Sequence, residues 1–325
     1  MDDLSETLRN LAITKRLNFL IGSGASTPAI SLMSQVKVTE KEIKAARTKE
    51  EAKNIKLIEK IKEVSRELLH PQKNTTNKNK QIQLKLEEYK RLIKVISEIL
   101  NQSNSREIPR EANIFTTNYD LFIEKAVDEV LAETTLVFND GARGYFNRYL
   151  DSSNFNRTVS YEGLNNNYID ELPSLTLIKP HGSVNWKREG KEVQILNSVI
   201  DEPDEPMVVP PTGFEGRDTF LDNHFHDMLR VFQLELDKPE SVLFVFGFSF
   251  QDDHIARMIR RALRNRSLII ACFCWQDGDK ITYRNNLGYD KQEPPKNLKF
   301  IKPSQFRNKN KLELKDLTEV LRGNL

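Results

Sequence analysis

The chain has 325 residues, 38% apolar and 30% charged, enough for a sizeable core beneath a strongly charged surface. Its 49 basic residues against 47 acidic ones give a formal charge of +2, which excludes capture of a polyanion by overall charge. Two cysteines, Cys272 and Cys274, cannot build a disulfide framework or a four-cysteine zinc site. The acidic start lacks an apolar signal region and no apolar run approaches the roughly 18 residues of a membrane span, so a soluble cytoplasmic protein is expected.

The first apolar run, Leu17-Asn18-Phe19-Leu20-Ile21, ends at Gly22-Ser23-Gly24-Ala25-Ser26, which reads as a strand exit opening a helix with Pro28 in its first turn. Glycines there let a backbone approach a phosphate that the helix N–H groups then bind, although a tight strand–helix connection uses the same residues. After Gly24 no glycine occurs until Gly141. Within that interval residues 37–100 hold 17 Lys/Arg against 10 Asp/Glu. Apolar residues recur at helical spacing, Ile55, Ile58, Ile61, Val64 and Leu68, then Leu86, Tyr89, Ile93, Ile96 and Leu100. The polar stretch from His70 to Asn79, with Pro71 inside it, predicts a loop between two long helices. Residues 37–110 are thus expected to form a helical insertion, whose basic face is either solvated or a contact surface and whose apolar stripe suits an oligomer interface.

Short apolar runs then alternate with helical stretches. Asn113-Ile114-Phe115-Thr116-Thr117 leads through Asn118-Tyr119-Asp120 into a helix from Leu121. Leu175–Ile178 ends at Pro180-His181-Gly182-Ser183, and Val242–Phe246 ends at Gly247-Phe248-Ser249-Phe250-Gln251-Asp252 before another helical stretch. Leu268–Phe273 is a further strand, with Cys272 and Cys274 as packing. Residues 139–173 and 187–217, rich in Asn, Gly, Pro and Tyr, predict loops or short strands over the site. This alternation predicts an α/β fold, a Rossmann-like parallel sheet flanked by helices, with ligands bound beyond the carboxyl ends of the strands. At those ends Asn118 and Asp120 can fix a ribose or a carboxamide, or simply cap a helix. His181 can act as a base near neutrality or as a structural hydrogen-bonding group. Asp252 or Asp253 reads as the cap of the following helix, and His224-x-His226 lacks a third ligand for a metal.

Taken in this order, the four loops resemble the sirtuin family, whose pattern is G-A-G-x-S, a helical module, T-Q-N-x-D, H-G and G-[TF]-S. The resemblance implies NAD+ as ligand, with the pyrophosphate across Gly22-Ser23-Gly24-Ala25-Ser26. It implies Asn118 on the nicotinamide ribose, Asp120 on the carboxamide, Thr117 among the NAD+-binding residues, and His181 as general base. Ser23, Gly247 and Ser249 would line the adenosine and phosphate side. It divides the chain into a Rossmann domain of residues 1–36 and 111–325 and the insertion 37–110. Residues 182–246 contain no cysteine, so the zinc ribbon of deacylating sirtuins is absent and no metal is expected. Without it, and with Trp186 following His181-Gly182-Ser183, the chain is similar to sirtuin-like NAD+ glycohydrolases of bacterial anti-phage defence. Those assemble as oligomers and in some systems act with a HerA-type hexameric ATPase. The resemblance therefore implies NAD+ hydrolysis switched on by assembly or a partner; no membrane is expected as partner, and the basic stretch is expected to be a solvated face more often than a direct nucleic-acid contact. NAD+-dependent deacylation and an idle nucleotide-binding scaffold are the rival readings.

Overall fold

The computed structural model describes residues 2–46, 48–71, 76–102, 108–162, 169–209 and 223–324. In chain order the strands are β1 (Arg16–Ile21), β2 (Glu111–Thr116), β3 (Val137–Asn139), β4 (Ala142–Arg143), β5 (Tyr149–Leu150) and β6 (Ser160–Glu162). They continue with β7 (Ile169–Glu171), β8 (Ser174–Ile178), β9 (Trp186–Glu189), β10 (Glu192–Ile195), β11 (Ser241–Phe246), β12 (Ile269–Phe273) and β13 (Leu298–Ile301). Seven of them form one sheet in the order β13-β12-β11-β1-β2-β8-β3. Every neighbouring pair in it is parallel. The five apolar runs read from the sequence are β1, β2, β8, β11 and β12.

The period-two alternation of a strand sorts these residues between two faces. Phe19, Ile21, Ile114, Leu175, Leu177, Phe244 and Phe273 pack on one face, under the helices Asp2–Thr14, Lys49–Leu69, Asn77–Gln102, Phe122–Leu131 and Leu314–Arg322. Leu20, Phe115, Ile178, Leu243, Val245, Ile270 and Cys272 pack on the other, under the helices Asn223–Asp237, Asp253–Ala262 and Asp279–Asn286. Two buried asparagines in adjacent strands satisfy each other, Asn113 Nδ2 donating to Asn18 Oδ1 at 3.0 Å.

The two long helices stand where their periodicity puts them, with two corrections. Ile55 is 53% exposed, because the buried stripe of the first helix runs through Leu57, Ile61, Val64 and Leu68. A strict three-residue spacing backwards from Ile61 lags the 3.6-residue turn and leaves the buried face. The connection is also shorter than expected, since the second helix already begins at Asn77, where the Thr76 hydroxyl accepts from the Asn79 amide at 3.2 Å. Residues 72–75 of that connection lie outside the described residues. The irregular region between Asp140 and Met207 holds a four-stranded sheet, β4-β5-β10-β9, and the hairpin β6-β7.

Because β11, β1, β2 and β8 are neighbours, their four exit loops lie side by side. The chain leaves β1 towards β2 on one side, and the later strands β11, β12 and β13 are added on the other. The step between β1 and β11 is therefore the switch point at which such sheets open a crevice.

Candidate active site

The first exit loop forms a single 3-10 turn, Ser23–Ser26, and no α-helix follows it before Glu40. This corrects the expectation of a helix through Pro28. Thr27 is extended (φ −74°, ψ 147°), as the residue before a proline prefers, and Pro28 has no N–H to continue the ladder. The glycines have a different use. A Cβ on Gly22 would stand 2.5 Å from Gly247 O, and one on Gly247 would stand 2.4 Å from the Ala25 amide nitrogen. Gly247 also has φ +67°. The exit loops of β1 and β11 thus meet backbone to backbone, the Gly24 amide donating to Gly247 O and the Gly22 amide to Phe246 O, both at 2.9 Å. The amides of Gly22, Gly24 and Ala25 are engaged within the protein.

In front of this layer is a cavity of about 950 Å³. Of the residues singled out in the sequence, Ser23, Ser26, Thr117, Asn118, Asp120, His181, Gly247 and Ser249 line it; Gly22, Gly24 and Ala25 form the layer behind. Four loops, the first and last more than two hundred residues apart, are therefore brought to one space. Leu57 and Ile61, from the first long helix, add an apolar wall.

The floor is a closed hydrogen-bond network. Asn118 Nδ2 donates to Gly22 O at 3.2 Å and Ser26 Oγ at 3.3 Å. Ser26 Oγ donates to Asp120 Oδ2 at 2.9 Å and lies 3.0 Å from the Tyr89 hydroxyl. Asp120 Oδ1 accepts from the Phe122 amide at 3.2 Å, so both carboxylate oxygens are held by the protein. Burial pushes the Asp120 carboxyl above its usual range against the pull of Lys179, Ser26 and the Phe122 amide. Lys179, buried two residues before His181, donates to Asp120 O at 2.7 Å, Glu124 Oε1 at 2.7 Å and Ser183 Oγ at 2.9 Å. It thereby ties the β8 exit to the β2 exit. Two acceptors of this network are buried without a partner, Asn118 Oδ1 and Glu124 Oε2, and of these two residues only Asn118 lines the cavity.

His181 is 8% exposed, and its Nε2 lies 3.1 Å from Asp252 Oδ2 without the alignment of a hydrogen bond. Asp252 does cap the helix Asp253–Ala262, Oδ1 accepting from the Ile255 amide at 3.1 Å, and its second oxygen turns to the imidazole. Burial opposes the charge on Asp252, but the adjoining His181, the Ile255 amide and His254 together hold its carboxyl below the usual range. The chain reaches this position through Phe250, which adopts φ +59° and is fixed by ring contacts to Phe248 and Tyr283. Sequence reading missed three contributors: Asp252 as partner of His181, Lys179 as the tie between loops, and Tyr89. Trp186 begins β9 in the core of the second face and is not among the residues lining the cavity.

An imidazole beside a carboxylate, lining one cavity with an asparagine that has an unpaired acceptor, can orient a hydroxyl-bearing ligand and take a proton from it or from water. Among the described residues no group of three or more His, Cys, Asp or Glu side chains converges to hold a metal ion, and no helix is long and apolar enough to cross a membrane. Comparison with known families finds that the SIR2-like domain matches residues 112–286, from β2 to the helix Asp279–Asn286. No curated protein matches the chain.

Proposed function

The chain belongs to the SIR2-like domain family, a family of NAD-related chemistry, and from that membership we propose that it hydrolyses NAD+ to nicotinamide and ADP-ribose. The reading rests on one observation: the His181–Asp252 pair and Asn118, whose Oδ1 has no partner, line the same cavity at the exits of adjacent parallel strands. At about 950 Å³ that cavity lies at the upper end of ordinary ligand pockets, as a dinucleotide requires. Asn118 Oδ1 suits a ribose hydroxyl as donor to it, since the amide nitrogen is already fixed by Gly22 and Ser26.

Breaking the bond between C1′ of a ribose and a pyridinium nitrogen passes through an oxocarbenium-like transition state. The protein's part is to hold the hydroxyls, desolvate the ring and admit water on the open face. Asn118 holds a hydroxyl. Leu57, Ile61 and Phe248 supply apolar wall, which favours loss of the ring's positive charge. His181 accepts a proton from water or a ribose hydroxyl, and the carboxylate of Asp252 favours the imidazolium that results. The motif order and the absence of cysteine between residues 182 and 246 support a further step. In that step NAD+ is depleted in anti-phage defence, after assembly of copies or engagement of a partner such as a HerA-type ATPase.

The test is to incubate the purified chain with NAD+, alone and with a candidate partner, and to quantify products. Equimolar nicotinamide and ADP-ribose are expected. His181→Ala and Asn118→Ala are each expected to lower the rate by about 10²–10⁴-fold with the circular dichroism spectrum retained. Full turnover in either variant removes that residue from the mechanism. Formation of O-acetyl-ADP-ribose from an acetylated peptide would replace hydrolysis by deacylation.

A further inference from the structure

The lysine excess of the two long helices is largely taken up by ion pairs. Lys56 pairs with Glu42, Lys85 with Glu88, Lys90 with Glu87 and Glu129, and Lys94 with Glu133. Uncompensated charge gathers elsewhere. Residues 257–266 contain Arg257, Arg260, Arg261, Arg264 and Arg266 with no carboxylate between them. All five are exposed, and all line a groove of about 1080 Å³ between the end of the helix Asp253–Ala262 and residues 289–297. Lys296 adds a sixth cation, and the one acid in the lining, Glu293, is held by Arg284 at 3.1 Å. Among the described residues Arg257 pairs with Asp253, whereas Arg260, Arg264 and Arg266 have no carboxylate partner.

The groove is built rather than frayed. Asn297 Nδ2 donates to the carbonyls of Leu263, Asn265 and Leu268, fixing the far wall to the turn that carries Arg264 and Arg266. Gly288, at φ +75°, lets the Arg260 guanidinium lie against the opposite turn; a Cβ there would stand 2.4 Å from Nη1. A helix C-terminus gains from a cation or two in its last turn, and five arginines exceed that need. Guanidinium groups left side by side repel unless an anion with several oxygens bridges them, and their planar fork matches phosphate. The lining has few apolar anchors, Leu263, Tyr289 and Pro295, whereas a protein partner would need an apolar centre to its interface. Polar, strongly positive surfaces are those of nucleic-acid contacts.

We propose that this arginine groove binds the phosphodiester backbone of a nucleic-acid strand without reading its bases. Arg257 lines both this groove and the cavity of the NAD+ reading, whereas Arg260, Arg261, Arg264 and Arg266 line the groove alone, and the proposal does not depend on that reading. The contact is electrostatic, so its affinity falls with salt, by roughly 0.7 log units per tenfold in salt for each phosphate neutralised on a single strand.

The test is fluorescence anisotropy of a labelled single-stranded oligonucleotide, with its duplex in parallel, titrated with the full chain across a salt series. Salt-dependent binding with a log–log slope of about −3 is expected for four to five neutralised phosphates. Arg260→Gln/Arg264→Gln/Arg266→Gln is expected to weaken binding at least tenfold and to bring the slope to about −1. The single variant Arg264→Gln, which breaks no internal contact, should reduce the slope by about 0.7 even if the triple variant fails to fold. Absence of salt-dependent binding, or unchanged binding and slope in Arg264→Gln, overturns the proposal. Displacement of the oligonucleotide by polyglutamate at equal charge concentration overturns it in favour of an acidic protein segment.

Discussion

Asp252 serves two structures at once, one oxygen closing a helix end and the other facing the imidazole of His181. Asparagine keeps the first role, since it caps helices as well as aspartate does, and removes the charge from the second. Asp252→Asn is therefore expected to keep the helix cap and to lower nicotinamide release by about 10²–10⁴-fold. The Asp252 carboxyl is held below its ordinary value, so it stays charged until the pH falls beneath the usual carboxylate range. The stabilisation it gives is present above that range and lost only as pH falls through it. Nicotinamide release by the variant at the parent rate at neutral pH would show that Asp252 is not the group involved. The sequence shows Asp252 only as a cap because its partner lies 71 positions earlier, and no local pattern encodes a contact across two strand exits. Asn118 and His181 were legible because each follows an apolar run directly, where a parallel sheet puts its ligand residues. Tyr89 was legible only as a core position: its ring stacks on Phe122 with centroids 5.4 Å apart, and nothing local shows that its hydroxyl reaches Ser26. Removing that hydroxyl in Tyr89→Phe should cost about 1 kcal/mol of stability, measured by denaturant unfolding, and leave the apolar packing intact.

At the level of elements, strands that are apolar along their length announced themselves, and those that are short and half-polar did not. β4, β5, β9 and β10 span two to four residues each, too few for a period to emerge, and β13 carries Lys299 at an exposed position between buried ends. β2 also carries a feature hidden by its apolar run. At its start Glu111 is partly buried near Glu235, accepting from the Thr176 hydroxyl at 3.4 Å. Burial and then the neighbouring Glu235 raise its carboxyl from 4.5 to about 7, against the pull of Lys238, Thr176 and Arg16. A raised carboxyl favours the folded state in its protonated form, so this contribution is full below about 4.5 and is lost as the pH climbs through about 7. Glu111→Gln fixes the neutral form. It should raise the melting temperature at pH 8, by the equivalent of about 1–3 kcal/mol, and change it little near pH 4.5. Equal effects at both pH values in thermal scans would show that Glu111 is not the titrating group.

At the scale of the molecule, the helices from residue 40 to residue 102 interrupt the sheet in sequence but complete it in space. Tyr89, Leu92, Ile93 and Ile96 are buried in the same cluster as Phe19, Ile114 and Phe244 of the central strands. They cover a face that is apolar along every strand, so exposing it would remove a large part of the burial that holds the sheet. Leu57 and Ile61 wall the cavity, and Tyr89 joins the hydrogen-bond network beneath it. A stretch that depended only on its own packing could be cut out without harm to the rest. Replacing residues 40–102 with a flexible linker is instead expected to abolish cooperative unfolding and NAD+ binding together, as followed by circular dichroism and calorimetry. Survival of a sharp unfolding transition in the shortened chain would show that the sheet carries its own core. Survival of NAD+ binding as well would place the whole ligand site on the four strand exits, with the helical wall dispensable. The intermediate substitution Leu57→Ala separates the two roles. As a large-to-small change at a buried position it should cost about 2–3 kcal/mol in stability. As a change in the cavity wall it should raise KM for NAD+ while leaving kcat within a few-fold, because Leu57 touches neither the imidazole nor the amide acceptor in the network described.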